Sequence, residues 1–291
     1  MNARRDFLKQ SALLSTGLAM NPTEFFKKQH LVGIQLYTLR EDIVKDVKGV
    51  IGKVAAAGYR EVETYGLSKE EQFFGLSVKD FGGLLKSHNI TSPSGHYMPS
   101  KMLFENGNGD DVKRLCDVGH TLGHQYIVIP HLEEPRRRTI DQYKVLADRM
   151  NKAGEICKAA NLQLGYHNHD FEFLQIDGQY GYDIIMNETD KDLLKLELDL
   201  YWVIRAGLDP LELFKKQPGR FHMVHVKDMD KADRTLNTEI GNGSIDFKPI
   251  IAATKLAGIK HYYLEQENNY VPDRITSIQN SFSFIRKNLL K

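Results

Sequence analysis

Cysteine and tryptophan are nearly absent: 291 residues contain two cysteines and one tryptophan. The two cysteines neither support nor oppose an oxidising compartment. Cys116 (VKRLCDVG) and Cys157 (GEICKAA) both sit in helical patterns and read as free buried thiols rather than a disulfide. Apolar runs of about eighteen residues are missing, which excludes a membrane-spanning helix. An excess of either charge is missing too: 39 Lys and Arg stand against 38 Asp and Glu, a formal net charge of +1. General attraction to nucleic acid or to an anionic membrane is thereby excluded. The single basic cluster, Arg136-Arg137-Arg138, reads as a solvated loop before a helix. No internal repeat or low-complexity segment is present, and no G-x-G-x-x-G follows the first apolar run, which argues against a dinucleotide-binding open sheet. What remains is globular in composition, 41% hydrophobic and 26% charged, and long enough to bury roughly three quarters of its unfolded surface.

The first twenty residues, MNARRDFLKQSALLSTGLAM, carry Arg4-Arg5, then Phe7-Leu8-Lys9, then a short and weakly apolar stretch. The pattern resembles a twin-arginine export signal. It predicts a leader over residues 1–28, a barrel domain over 30–291 and a periplasmic location.

Beyond the leader, short apolar runs alternate with longer helical patterns. The strand candidates are 31–37, 61–65, 91–96, 125–130, 163–167, 193–199, 221–226 and 262–266. Helical patterns end in Gly or Asn just before the next strand at Gly58, Asn89, Gly123, Asn161 and Gly258, residues suited to a helix C-terminus. Eight strand–helix units predict a single (β/α)₈ barrel, with a doubly wound sheet as the alternative. The longest irregular stretches are 97–108 and 228–246.

In such a barrel, chemistry belongs at the C-terminal strand ends. There the sequence places Glu63, His96, His131, His167-Asn168-His169, Asp199, His225 and Glu265. Strands five to eight supply His, Asp, His and Glu. That mixture suits one Mn²⁺, Co²⁺, Zn²⁺ or Fe²⁺ ion better than Ca²⁺. Such a site has room to chelate two substrate oxygens, polarise a carbonyl and acidify the adjacent C–H.

The stretches GIQLYTLRED, YHNHDFEF, LDLYWVIRAGLDP, HVKDMD, IGNGSIDF and LEQE together resemble the xylose isomerase-like TIM-barrel superfamily of sugar (phosphate) isomerases and epimerases. The resemblance implies metal ligands at His167, Asp199, His225 and Glu265. Most sugar epimerases of the superfamily carry Glu where this chain has His167, so a two-glutamate epimerisation is in doubt. His167 is chosen over His169 because it precedes Asn168. Glu265 is then ligand and base together, with His96, His131 and His169 as further proton carriers. Asn168, Tyr37, Glu63 and Glu267 are expected at the substrate, and Asp170 and Glu172 around the loop. Lys227 is read either as a sugar contact or as a partner of Asp228, and Trp202 either as a sugar platform or as core.

The expected substrate is an unphosphorylated sugar or keto-glycoside, since export argues against a phosphorylated intracellular one. Isomerisation, epimerisation and β-elimination of a 3-keto-glycoside share one enolate-like intermediate. Two remoter readings are an endonuclease IV-type repair enzyme and a carbohydrate-binding barrel without catalysis. The first would need an Asp-x-His after strand seven, where this chain has Asn237 and Thr238. No nucleic-acid partner is expected, and a homo-oligomer is left open.

Overall fold

A computed structural model describes residues 31–290; the expected leader lies outside the described residues. Eight parallel strands close on one another: Val32–Gln35, Glu61–Thr64, Thr91–His96, Tyr126–Ile129, Gln163–His167, Leu194–Asp199, Phe221–Val226 and His261–Leu264. The first strand pairs with both the second and the eighth, so no edge remains and the open-sheet alternative is excluded. The outer helices that follow the strands in turn are Val47–Ala57, Val78–Ser87, Asp110–Leu122, Ile140–Ala159, Gly181–Glu188, Pro210–Lys216, Phe247–Ala252 and Arg274–Phe284. Among the described residues no helix is long and apolar enough to cross a membrane.

Local chemistry explains the alternation. Gly58, Asn89, Gly123, Asn161 and Gly258 all have φ between 55° and 110°. Each turns the chain out of a helix toward the next strand. The 20-residue helix Ile140–Ala159 starts on a reciprocal cap between Thr139 and Gln142, which satisfies two otherwise orphaned backbone donors.

Strand side chains divide by parity. Leu194, Leu196 and Leu198 point outward into the shell shared with the helices, whereas a separate cluster of Tyr126, Val128, Met223 and Tyr263 fills the barrel interior. Gly33 makes that filling possible: a Cβ there would lie 2.5 Å from the Tyr263 ring.

Two stretches expected to be irregular carry structure. Helix Ser100–Glu105 lies within 97–108, and a two-residue hairpin, Asp228–Met229 with Asn237–Thr238, lies within 228–246. Buried Asp228 holds that second loop by accepting backbone N–H bonds from Met229, Gly241, Gly243 and Ile245 at 2.9–3.1 Å. Gly243 is required by this approach, because a Cβ would meet the Asp228 carboxylate at 2.2 Å.

Candidate active site

Register decides which polar side chains meet. Glu197 stands opposite His167 on one side and Met223 on the other, and Asp199 stands opposite His225. Residues two apart face the same way, so Glu197 and Asp199 both enter the barrel. Lys227 and Glu267 continue the inward rows of His225 and Glu265.

One ligand atom each from His167, Asp199, His225 and Glu265 lies within 4.8 Å of the others, and all four residues are buried. His167 Nε2 is 3.9 Å and His225 Nδ1 4.0 Å from Asp199 Oδ2. His225 Nδ1 is 3.0 Å from Glu265 Oε2. Two donors each about 2.1 Å from one ion stand roughly 3–4 Å apart, so the spacing fits a divalent cation. Asp199 Oδ2 is buried with no hydrogen-bond partner, a costly state that a cation would relieve. The other oxygen, Oδ1, accepts from Trp202 N at 3.1 Å.

Beneath this set lie two fully buried carboxylates, Glu63 and Glu197. Glu197 Oε2 lies 2.8 Å from His96 Nε2, 3.2 Å from His167 Nδ1 and 3.3 Å from His225 Nε2. Glu63 Oε2 lies 2.7 Å from His225 Nε2 and 3.0 Å from His96 Nε2, and accepts from Gln35 Nε2 at 2.8 Å; Ser94 Oγ donates to its other oxygen. His167 and His225 therefore turn one ring nitrogen down to a carboxylate and the other up to the ligand set. Such pairing fixes tautomer and ring orientation in metal-binding histidines.

The electrostatics follow. Burial opposes ionisation of Glu63, but His96 and His225 outweigh it and hold the carboxyl well below its ordinary range. Burial and Glu63 likewise oppose ionisation of Glu197, yet His225 and His167 bring it down to about 2. Burial disfavours charge on His96, but Glu63 and Glu197 raise its pKa to about 9. Burial and His225 push His167 well below its ordinary value, as suits a neutral ligand.

Several sequence expectations change with depth in the barrel. Glu63, expected at the substrate, lies under the ligand set with its oxygens occupied by His96, His225, Gln35 and Ser94. Asn168 is also fully buried; its Oδ1 accepts from Asp199 N at 3.0 Å, so it positions Asp199 rather than a ligand. Lys227 does not pair with Asp228. Its Nζ is 3.2 Å from Glu265 and 3.5 Å from Asp199, and donates to Glu267. His96 has its Nε2 committed to two carboxylates, and its raised pKa makes it a hydrogen-bond donor rather than a base. Glu172 is buried, accepting from Tyr166 Oη and from His169 N at 2.9 Å, while Asp170 faces Arg205 at 3.7 Å. Arg137 is not merely solvated: its guanidinium lies 3.4 Å from the Phe171 ring centroid. Trp202 is half-buried, 5.0 Å from Lys227 Nζ and 5.4 Å from the His169 ring. Both cysteines are helical, buried and free, their sulfurs 3.9 Å apart.

A cavity of about 580 Å³ opens above the cluster, lined at its polar end by His96, His131, His167, His169, Glu265 and Glu267, with Tyr37 farther along. His169 Nδ1 is buried without a partner; burial and Lys227 lower its pKa to about 3, so the ring is neutral. Glu197 is the residue that the strand-end reading passes over. Its signal was the alternation in KLELD, which sends Glu197 the same way as Asp199.

Residues 51–288 match the family model described as Xylose isomerase-like TIM barrel. The inosose dehydratase of Clostridium perfringens (strain ATCC 13124) is 28% identical over 163 residues, covering 50% of this chain and 54% of that protein. The inosose dehydratase of Geobacillus kaustophilus (strain HTA426) is 25% identical over 211 residues, covering 66% and 65%. The chain thus spans about half to two thirds of the length of the curated relatives it matches. A solved sugar phosphate isomerase/epimerase from Parabacteroides distasonis ATCC 8503 superposes with a TM-score of 0.81 at 28% identity, over 91% of this chain and 97% of that one. On the family match, the closed eightfold barrel and the strand-end cluster together, this chain belongs to the xylose isomerase-like TIM barrel family.

Proposed function

We propose that the chain is a divalent-metal-dependent enzyme that removes a proton next to the carbonyl of an unphosphorylated sugar derivative, with β-elimination as the outcome. One observation carries the choice of elimination over two-base epimerisation. Across the ligand set from Glu265 stands His167, whose two nitrogens are directed to Glu197 and Asp199. Among the described residues the carboxylates lining the cavity are Glu265 and Glu267, both following the eighth strand, so none stands on the His167 side to return a proton to the opposite face of the substrate. The likeness to dehydratases, which eliminate water, supports the same reading.

His167, Asp199, His225 and Glu265 would hold the cation, which when bound supplies Lewis-acid stabilisation of charge growing on the carbonyl oxygen. Glu265 is the base: it lines the cavity, and one carboxylate oxygen can ligate while the other accepts the proton. Burial opposes charge on Glu265, but Lys227 and His225 outweigh it and hold the carboxyl well below its ordinary range. His96, held from below, donates toward the substrate. His131 and His169 line the same cavity and orient hydroxyls.

Incubating Mn²⁺- or Co²⁺-loaded protein in D₂O with glucosides and 3-keto-glucosides tests this. Solvent deuterium at the carbon beside the carbonyl together with a released leaving group is the expected result. Deuterium or isomerised sugar without release would make the enzyme an isomerase or epimerase. Binding without exchange under every transition metal would make it a carbohydrate-binding barrel. Export belongs to the same proposal: Arg4-Arg5→Lys-Lys should abolish periplasmic delivery, and unchanged delivery would remove the twin-arginine reading.

A further inference from the structure

The imidazoles of the site have two sides, and the side turned away from the cavity meets metal-ligand spacing as fully as the side turned toward it. One ligand atom each from His96, His167, Glu197 and His225 also lies within 4.8 Å of the others. Glu197 Oε2 is 2.8 Å from His96 Nε2, 3.2 Å from His167 Nδ1 and 3.3 Å from His225 Nε2. Glu63 Oε2 lies against two of the same nitrogens, 2.7 Å from His225 Nε2 and 3.0 Å from His96 Nε2. Adjacent donors about 2.1 Å from one ion stand roughly 3 Å apart, so these nitrogens and oxygens already hold ligand spacing. Hydrogen bonding does not exhaust the cluster. His96 Nε2 and His225 Nε2 each face two carboxylate oxygens, yet a ring nitrogen carries at most one proton. Glu197 Oε1 is buried with no partner, which costs free energy until a donor or cation reaches it. His96 lines the cavity and its side chain is 10% exposed, which gives an ion a way down.

We propose that this lower set is a second cation position, exclusive of the upper one and selective for late transition ions such as Cu²⁺ and Zn²⁺. The upper set offers two imidazoles and two carboxylates, the lower three imidazoles with Glu197 and Glu63. Imidazole favours Cu²⁺ and Zn²⁺, whereas Mn²⁺ suits oxygen donors. Exclusion follows from the shared rings. A neutral imidazole has one nitrogen lone pair to give. When His167 and His225 ligate downward, their N–H groups turn toward Asp199 and Glu265, and the upper set is two ligands short. Glu63 and Glu197 are fully buried, so an ion between them is withdrawn from the cavity. Cu²⁺ or Zn²⁺ held there is an inhibitory occupant, whatever sugar the cavity takes.

Pulsed EPR on the full chain loaded with one equivalent of Cu²⁺ counts the coordinated imidazoles. Three are expected, falling to two in His96→Gln. Two or fewer in the parent chain, or a count that His96→Gln leaves unchanged, overturns the lower position. Asp199→Asn provides a second test if His96→Gln does not fold, because it takes an anionic ligand from the upper set alone. In chelator competition that variant should bind Mn²⁺ about tenfold or more weakly, with Cu²⁺ affinity within about threefold of the parent. Equal losses for the two ions overturn the proposal. Cu²⁺ added to the Mn²⁺-loaded chain should release Mn²⁺ one for one, and both ions held together would overturn the exclusion.

Discussion

Glu265 and Glu197 are both buried carboxylates among histidines, and they should fail differently when neutralised. Glu265 lines the cavity, so Glu265→Gln should keep much of the metal affinity and lose roughly 10²–10⁴ in rate. If Glu265→Gln turns over nearly normally while His169→Ala is inactive, the base is the unpartnered imidazole. Glu197 never reaches the cavity. It holds the downward nitrogens of His96, His167 and His225, so Glu197→Gln should weaken metal binding about 10–100-fold in a chelator competition. Unchanged affinity would show that ring orientation does not depend on it. The ligand set was legible because each member ends an apolar run. Glu197, Glu63 and Asn168 were not, because their roles depend on depth along the barrel axis. Whether a polar side chain meets solvent, a ligand or another wall is decided by closure between residues as distant as Glu63 and His225, and strand periodicity carries no term for that.

Among the elements, strands and helix ends were readable and loop interiors were not. The sixth strand alternates outward leucines with inward polar residues, and each predicted Gly or Asn helix end takes positive φ, so local chemistry and fold agree there. The two-residue hairpins Gln72–Phe73 with Leu76–Ser77 and Gln175–Ile176 with Gln179–Tyr180 are too short for any period to show. Loop 228–246 is instead organised by Asp228. Asp228→Ala would remove the acceptor of four backbone N–H groups in a partly buried loop, at about 1–3 kcal/mol for each that water cannot reach. The urea midpoint should fall clearly, and Lys227 next door should lose its fixed position. A midpoint within error of the parent would mean the loop is held elsewhere.

For the whole molecule, a cation bound only by the folded chain should raise Tm with metal concentration, and an Asp199→Ala, His225→Ala double variant should lose that dependence. The buried carboxylates beneath the site give this a pH signature. Glu63, Glu197, Asp199 and Glu265 are enclosed with a single ammonium, Lys227. Without metal, the missing positive charge must come from protons on His96 and His225. Burial opposes both, but neighbouring carboxylates outweigh it, raising His96 from 6.5 to about 9 and His225 well above its ordinary value. A histidine whose pKa rises on folding stabilises the fold fully below its unfolded value and loses that contribution as pH climbs through the folded one. Metal-free protein should therefore weaken between about pH 6.5 and 9, while the loaded protein, with a divalent ion in place of those protons, should hold. The gap in Tm between chelated and loaded samples should widen across that window; a constant or narrowing gap would refute the exchange. On that exchange, protons and a divalent ion would compete for one buried negative cluster, and mild alkalinity would favour the ion.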